Sequence, residues 1–120
     1  MKNNNNYTIQ NLSTQNPIAT EIKLANNFFS RLKGLLGTEP LKLQEGLLIS
    51  PCQQIHTHFM GYPVDVIFLD KNMLVLDIVH DMKPWKISKF YKNAYYVLEL
   101  QVGRAATINL LDKLSITKND

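Results

Sequence analysis

At 120 residues, with 45% hydrophobic and 19% charged side chains, the chain has the size and balance of one globular domain, which excludes a disordered or fibrous protein. Its net charge of +3 comes from lysines scattered along the chain, without the run of about five or six like charges that marks a nucleic-acid-binding tail. One cysteine, Cys52, excludes an internal disulfide and makes a reducing cytoplasm the expected compartment.

The polar tract Asn3 to Asn6 is expected to fray, so residues 1–6 read as a disordered tail and residues 7–120 as a single globular domain. Met1 to Gln10 holds no apolar stretch of about 7–15 residues, and no secretory leader is expected there. Ile18, Thr20, Ile22 and Leu24 alternate with more polar neighbours and predict an early strand. Phe28, Leu32, Leu35 and Leu36 then fall on one helical face. Asn26 or Asn27 caps the start and Gly37 closes the end, so a helix is expected over this stretch, weakened by Gly34.

After Pro40 the segments shorten. Residues 46–49, 55–59, 64–69, 73–79 and 94–100 are rich in β-branched, leucine or aromatic side chains and predict strands. The longest apolar stretches, 64–69 and 73–79, are too short to span a bilayer, and each contains an aspartate. Asp70, Lys71 and Asn72 make the polar break of a hairpin. Gly103 interrupts the pattern, residues 105–110 predict a short second helical turn, and 114–116 a last strand. The fold class expected is α+β and mainly β: a small barrel-like or two-layer antiparallel or mixed sheet with one helix near the N-terminus.

The chemistry gathers between Pro51 and Asp65, where a thiol, two imidazoles, a thioether and a carboxylate stand together. In an extended segment Cys52, His56, His58 and Met60 share one face, and Ile55, Thr57 and Phe59 the other. Soft donors of this kind suit zinc or copper. No metal and no other cofactor is expected, however. Cys-x3-His-x-His matches no closed zinc spacing, and four donors along one strand would span roughly 26 Å. His56 and His58 alone are weak metal candidates. Cys52 reads either as a nucleophile paired with a histidine or as a buried structural thiol. Asp65, in a strand apolar on both faces, needs a partner: His56, Arg31 or backbone N–H groups near Pro63. The turn at Gly61-Tyr62-Pro63 predicts His56 within its hydrogen-bond reach. Glu99 reads either as a site residue or as a solvated one on the outside of its strand.

Several ordered patterns accumulate along the chain: Arg31-Leu32-Lys33-Gly34-Leu35-Leu36-Gly37, Glu45-Gly46-Leu47-Leu48-Ile49, Pro51-Cys52, Ile55-His56-Thr57, Met60 and Pro63 through Asp70. Pro84-Trp85-Lys86, Val97-Leu98-Glu99-Leu100, Gly103 and Asp112 follow. Over about residues 18–117 the chain resembles the family called domain of unknown function 192, small bacterial and archaeal proteins, in its branch with a cysteine and a His-Thr pair before the methionine. The resemblance implies a mainly β fold with a helix near the N-terminus and no assigned activity. It carries over His56, Thr57, Met60, Pro63, Asp65 and Glu99 as pattern positions. The chain departs from the pattern at His58, at Gly61, where the family has a basic residue, and at Leu111, where a glycine precedes Asp112.

No glycine-rich phosphate loop, nucleophile elbow or usefully spaced carboxylate pair occurs. The expected function is that of a small binding module whose sheet presents Cys52, His56, Thr57, His58, Met60, Asp65 and Glu99 to a small molecule or protein partner. The alternative is a small hydrolase-like or metal-assisted enzyme with His56 as base, Asp65 orienting it, and Cys52 or a metal at His56 and His58. A third reading makes these residues purely structural. Lys83, Trp85, Lys86, Lys89, Tyr91 and Lys92 form a basic, aromatic segment, but Trp85 is expected to tuck into the core. Neither nucleic acid nor a membrane is expected as a partner, and the oligomeric state is left open.

Overall fold

The computed structural model describes residues 6–26, 39–58 and 60–120. Seven strands form one sheet among them: β1 (Tyr7–Asn11), β2 (Asn16–Ala25), β3 (Glu45–Ile49), β4 (Val64–Leu69), β5 (Val75–Met82), β6 (Tyr96–Leu100) and β7 (Leu114–Lys118). Their spatial order is β5-β4-β6-β3-β2-β1-β7. Only β2 and β3 run parallel, so the sheet is mixed. A parallel pair needs a long crossover, and here it passes through the undescribed stretch 27–38. The helix expected over 28–37 lies outside the described residues.

The expected α+β class is corrected. Among the described residues the helical content is one 3-10 turn, Arg104–Thr107, near the turn expected at 105–110. Everything else regular is strand, because the later segments carry branched and aromatic side chains that pack best on a pleated surface. The strand expected over 55–59 is also corrected over its described residues, 55–58, where it reduces to a single bridge between His56 and Ile87. The Met60 N–H bonds back to the Thr57 carbonyl at 3.2 Å, which turns the chain there. Among the described residues no helix is long and apolar enough to cross a membrane.

Every side chain of β4 is buried, as a strand covered on both faces requires. Alternation divides them. Ile67 and Leu69 join Ile9, Ile22, Leu48, Leu98, Leu100 and Leu114 in one core, while Val64, Val66 and Phe68 join Leu47, Cys52, Ile55, Met60, Tyr62 and Val97 in another. The first core is the inside of a curl, since it gathers residues from β1 and β7 as well as from the middle of the sheet. The curl brings the two edge strands together at one end: Val75 N–H bonds to Asp112 O at 2.9 Å and Leu114 N–H to Met73 O at 2.9 Å. The result is a half-barrel. Its outer face is covered by the segment that runs from Cys52 to Tyr62.

Candidate functional site

The register of the central strands separates residues that the sequence places together. Val66 lies opposite Glu99, and Asp65 opposite Leu100. Asp65 therefore points into the half-barrel with Leu100, whereas Glu99 points to the outer core with Val66 and Val97. No single sheet face presents both acids.

Asp65 is 1% exposed. Its Oδ1 accepts the Asp81 N–H at 2.8 Å, and its Oδ2 accepts the N–H groups of Gly103 and Ala105, each at 2.9 Å. The carboxylate thus ties the end of β5 to the start of the 3-10 turn, whose first N–H groups have no partner within the turn. Gly103 has φ 96, a conformation glycine adopts without steric cost. The partners of Asp65 are backbone groups remote in sequence, and the expected pairing with His56 is replaced by them.

Glu99 is 3% exposed, and its Oε1 has no hydrogen-bond partner among the described residues. Burial pushes its carboxyl up to about 7. Tyr62 shares this pocket of the outer core. Its hydroxyl is raised by burial first and then by the charges of Glu99 and Glu45, so the three groups lie within electrostatic reach of one another. Met60 and Cys52 are buried in the same core. The Cys52 thiol donates to Gln54 O at 3.3 Å, the environment of a structural thiol rather than an activated one.

Thr57 is fully buried and organises the surface above this core. Its hydroxyl donates to Lys83 O at 2.6 Å and accepts the Lys86 N–H at 2.9 Å. Its backbone bonds to Lys86 O and to the Trp85 N–H. Ser88 repeats the arrangement: its hydroxyl accepts the Ile55 N–H at 3.0 Å, its own N–H bonds to Ile55 O at 2.9 Å, and the Gln54 amide donates to Ser88 O. The two segments, 53–58 and 83–91, are laced together over sequence separations near thirty residues.

Two half-buried histidines emerge from this lacing. The His58 N–H donates to His56 Nδ1 at 3.3 Å. The ring centroids stand 4.7 Å apart, and the His58 and Trp85 rings make a T-shaped pair with centroids 5.4 Å apart. Trp85 itself is 61% exposed, which corrects the expectation that it tucks into the core. The reason is local. Trp85 takes φ 63, and the backbone on either side of its ring is held by Thr57, so the indole turns outward. Among the described residues no three His, Cys, Asp or Glu side chains gather as metal ligands.

Residues 9–116 match the family of domain of unknown function 192 (DUF192, "Uncharacterized ACR"). The chain belongs to that family. It is 35% identical over 86 residues to the UPF0127 protein PH1112 of Pyrococcus horikoshii, covering 66% of this chain and 70% of that one. It is 29% identical over 111 residues to the UPF0127 protein PF1050 of Pyrococcus furiosus, covering 87% and 93%. These relatives are archaeal, and they lend no support to a bacterial source for this chain. The fold recurs in a crystal structure of a protein of unknown function from Novosphingobium aromaticivorans, with TM-score 0.74 and 23% identity, covering 91% of this chain and 82% of that one.

Of the family's pattern positions, Met60, Asp65 and Glu99 are interior and Thr57 is a buried anchor, while His56 reaches the surface. Sequence reasoning missed Ser88 and Gln54 as partners in this architecture, and it expected the short helical turn but not that Asp65 would hold it. The available signal for the two was slight: each is a polar residue beside a branched apolar one, Gln54 before Ile55 and Ser88 after Ile87.

Proposed function

We propose that this DUF192 chain is a small binding module of the cytosol, and that its binding surface is the edge formed by His56, His58 and Trp85 rather than a face of the sheet. The observation that carries this reading is the lacing of segments 53–58 and 83–91 by buried Thr57 and Ser88. It sets three ring side chains in a row at the surface, with His56 against His58 and His58 against Trp85. Pre-ordered rings of this kind bind without the entropy cost of arranging them first. The enzymatic alternative has less support. Asp65, its orienting group, is spent on three backbone N–H groups, and Cys52 is buried against a carbonyl.

Native mass spectrometry of gently purified protein tests the module directly. A bound small molecule or partner is expected as added mass that a His58→Ala, Trp85→Ala double variant loses. Added mass that persists in that variant places the site elsewhere. A chain with no adduct, and whose Trp85 emission stays constant across a panel of metabolites and peptides, sinks the reading.

A further inference from the structure

The stretch from Lys83 to Lys92 contains four lysines and no acid. It also holds three of the exposed large apolar side chains: Trp85 at 61%, Ile87 at 66% and Phe90 at 61%. Exposed apolar residues scattered singly need no explanation, but three within six positions concentrate exposed apolar surface on one loop. They are not exposed because the backbone is loose. Tyr91 N–H bonds to Gln53 O at 2.8 Å, the Tyr91 hydroxyl to Asp77 Oδ2 at 2.5 Å and the Gln53 amide to Lys92 O at 2.6 Å, in addition to the Thr57 and Ser88 anchors. The interior positions of the loop are the small or polar-tipped Ser88 and Tyr91. The positions turned outward are the ones a folding core would otherwise take. Of the four lysines only Lys83 is ion-paired among the described residues, with exposed Asp81 at 2.7 Å.

We infer that this loop is a membrane-docking element, which inserts Trp85, Ile87 and Phe90 into the interface of an anionic lipid bilayer while Lys86, Lys89 and Lys92 lie against the headgroups. The inference rests on the binding-module reading and names its partner. The composition is that of an interfacial anchor: an indole, a phenyl and a branched aliphatic chain beside long cationic side chains that keep their heads in the polar layer. Anionic lipid supplies the complementary charge. The expectation that no membrane is a partner followed from the lack of an apolar span, and a peripheral contact needs none.

Other occupants fit less well. A stable protein partner covers about 800 Å² on each side, whereas the three exposed side chains amount to something on the order of 400 Å². Single-stranded nucleic acid requires aromatic faces on which bases stack. Here the most exposed of the three, Ile87, has no ring on which a base could stack.

The test uses the full chain and its lone tryptophan, Trp85, as the reporter. Vesicles of phosphatidylcholine with about one third phosphatidylglycerol are expected to sediment the protein and shift Trp85 emission to the blue. Pure phosphatidylcholine vesicles should bind at least about tenfold more weakly, and added salt should release the protein. Ile87→Ser with Phe90→Ser, and separately Lys86→Glu with Lys89→Glu, should each cut binding about tenfold or more with the melting temperature unchanged. No sedimentation with anionic vesicles overturns the inference. So does equal binding to neutral vesicles, or an emission change that requires single-stranded oligonucleotide or rises with protein concentration alone. If the vesicles fail but a co-purifying mass is still lost from the His58→Ala, Trp85→Ala variant, the lipid assignment falls and the binding module stands.

Discussion

Asp65 and Glu99 are both acids buried in the central strands, one register step apart on β4 and β6, yet they live by opposite rules. Asp65 sits near the end of β4. From there its side chain reaches the backbone of a bulged strand end at Asp81 and of a 3-10 turn at Gly103 and Ala105, where N–H groups are not consumed by the sheet. Glu99 lies between Leu47 and Val66 in the middle of the β3-β6-β4 ladders, where the neighbouring N–H groups already pair with carbonyls. One carboxylate is therefore a fastener and the other keeps an oxygen without a partner among the described residues. A buried acid is satisfied by where it stands along a strand, and not by how deep it is.

The fastener should break hardest. Asp65→Asn keeps the size but turns an NH2 donor toward N–H donors. It is expected to lower unfolding free energy in urea by about 3–5 kcal/mol. A loss below about 1 kcal/mol would mean that the three bonds do not hold the strand end to the turn.

Removing the second carboxylate should have the opposite sign. The Glu99 carboxyl holds its proton in the folded chain up to about 7, against 4.5 ordinarily. The folded state thus binds more protons between those values, and stability falls as pH rises through that window and is level above it. Glu99→Gln is expected to flatten this slope and to raise stability at pH 8 by up to about 3 kcal/mol. An unchanged slope in melts from pH 4 to pH 8 would show that another group sets it.

Thr57 extends the comparison, since its hydroxyl fastens a loop as Asp65 fastens a turn. Thr57→Val leaves the Lys86 N–H and Lys83 carbonyl short of a partner and should cost about 1–3 kcal/mol. Faster amide hydrogen exchange at Trp85 and Lys86 would accompany it, and unaltered exchange there would count against the anchor. The smallest effect belongs to the surface: Phe90→Ser should change stability by less than about 0.5 kcal/mol, because that ring is exposed. A larger loss in thermal melts would mean that Phe90 packs as core.

The sequence by itself determined most of the strands. The early strand carrying Ile18 and Ile22, the apolar run of β4 around Asp65 and the Asp70-Lys71-Asn72 break each express a local rule of side-chain period or turn chemistry and lie where expected, although Thr20 and Leu24, expected on the same face as Ile18 and Ile22, are exposed. The early strand β1 escaped notice because Thr8, Gln10 and Asn11 give it few apolar positions, with Ile9 its one fully buried apolar residue. The cluster of Cys52, His56, His58 and Met60 was legible as composition but not as geometry. An extended reading put all four on one face, while the chain turns after Thr57 and buries Cys52 and Met60.

Pairing across the sheet is set by the folded arrangement and not by any local pattern. That Asp65 and Glu99 face opposite sides follows from a single register between β4 and β6, and a slip by one residue would reverse it. That Thr57 and Ser88 hold a loop some thirty residues away, and that Trp85 points outward as a result, depends on hydrogen bonds whose partners are distant in the chain. Local propensity carries no term for such contacts. They appear only when burial of the two cores brings the segments together and each interior polar group must find its partner.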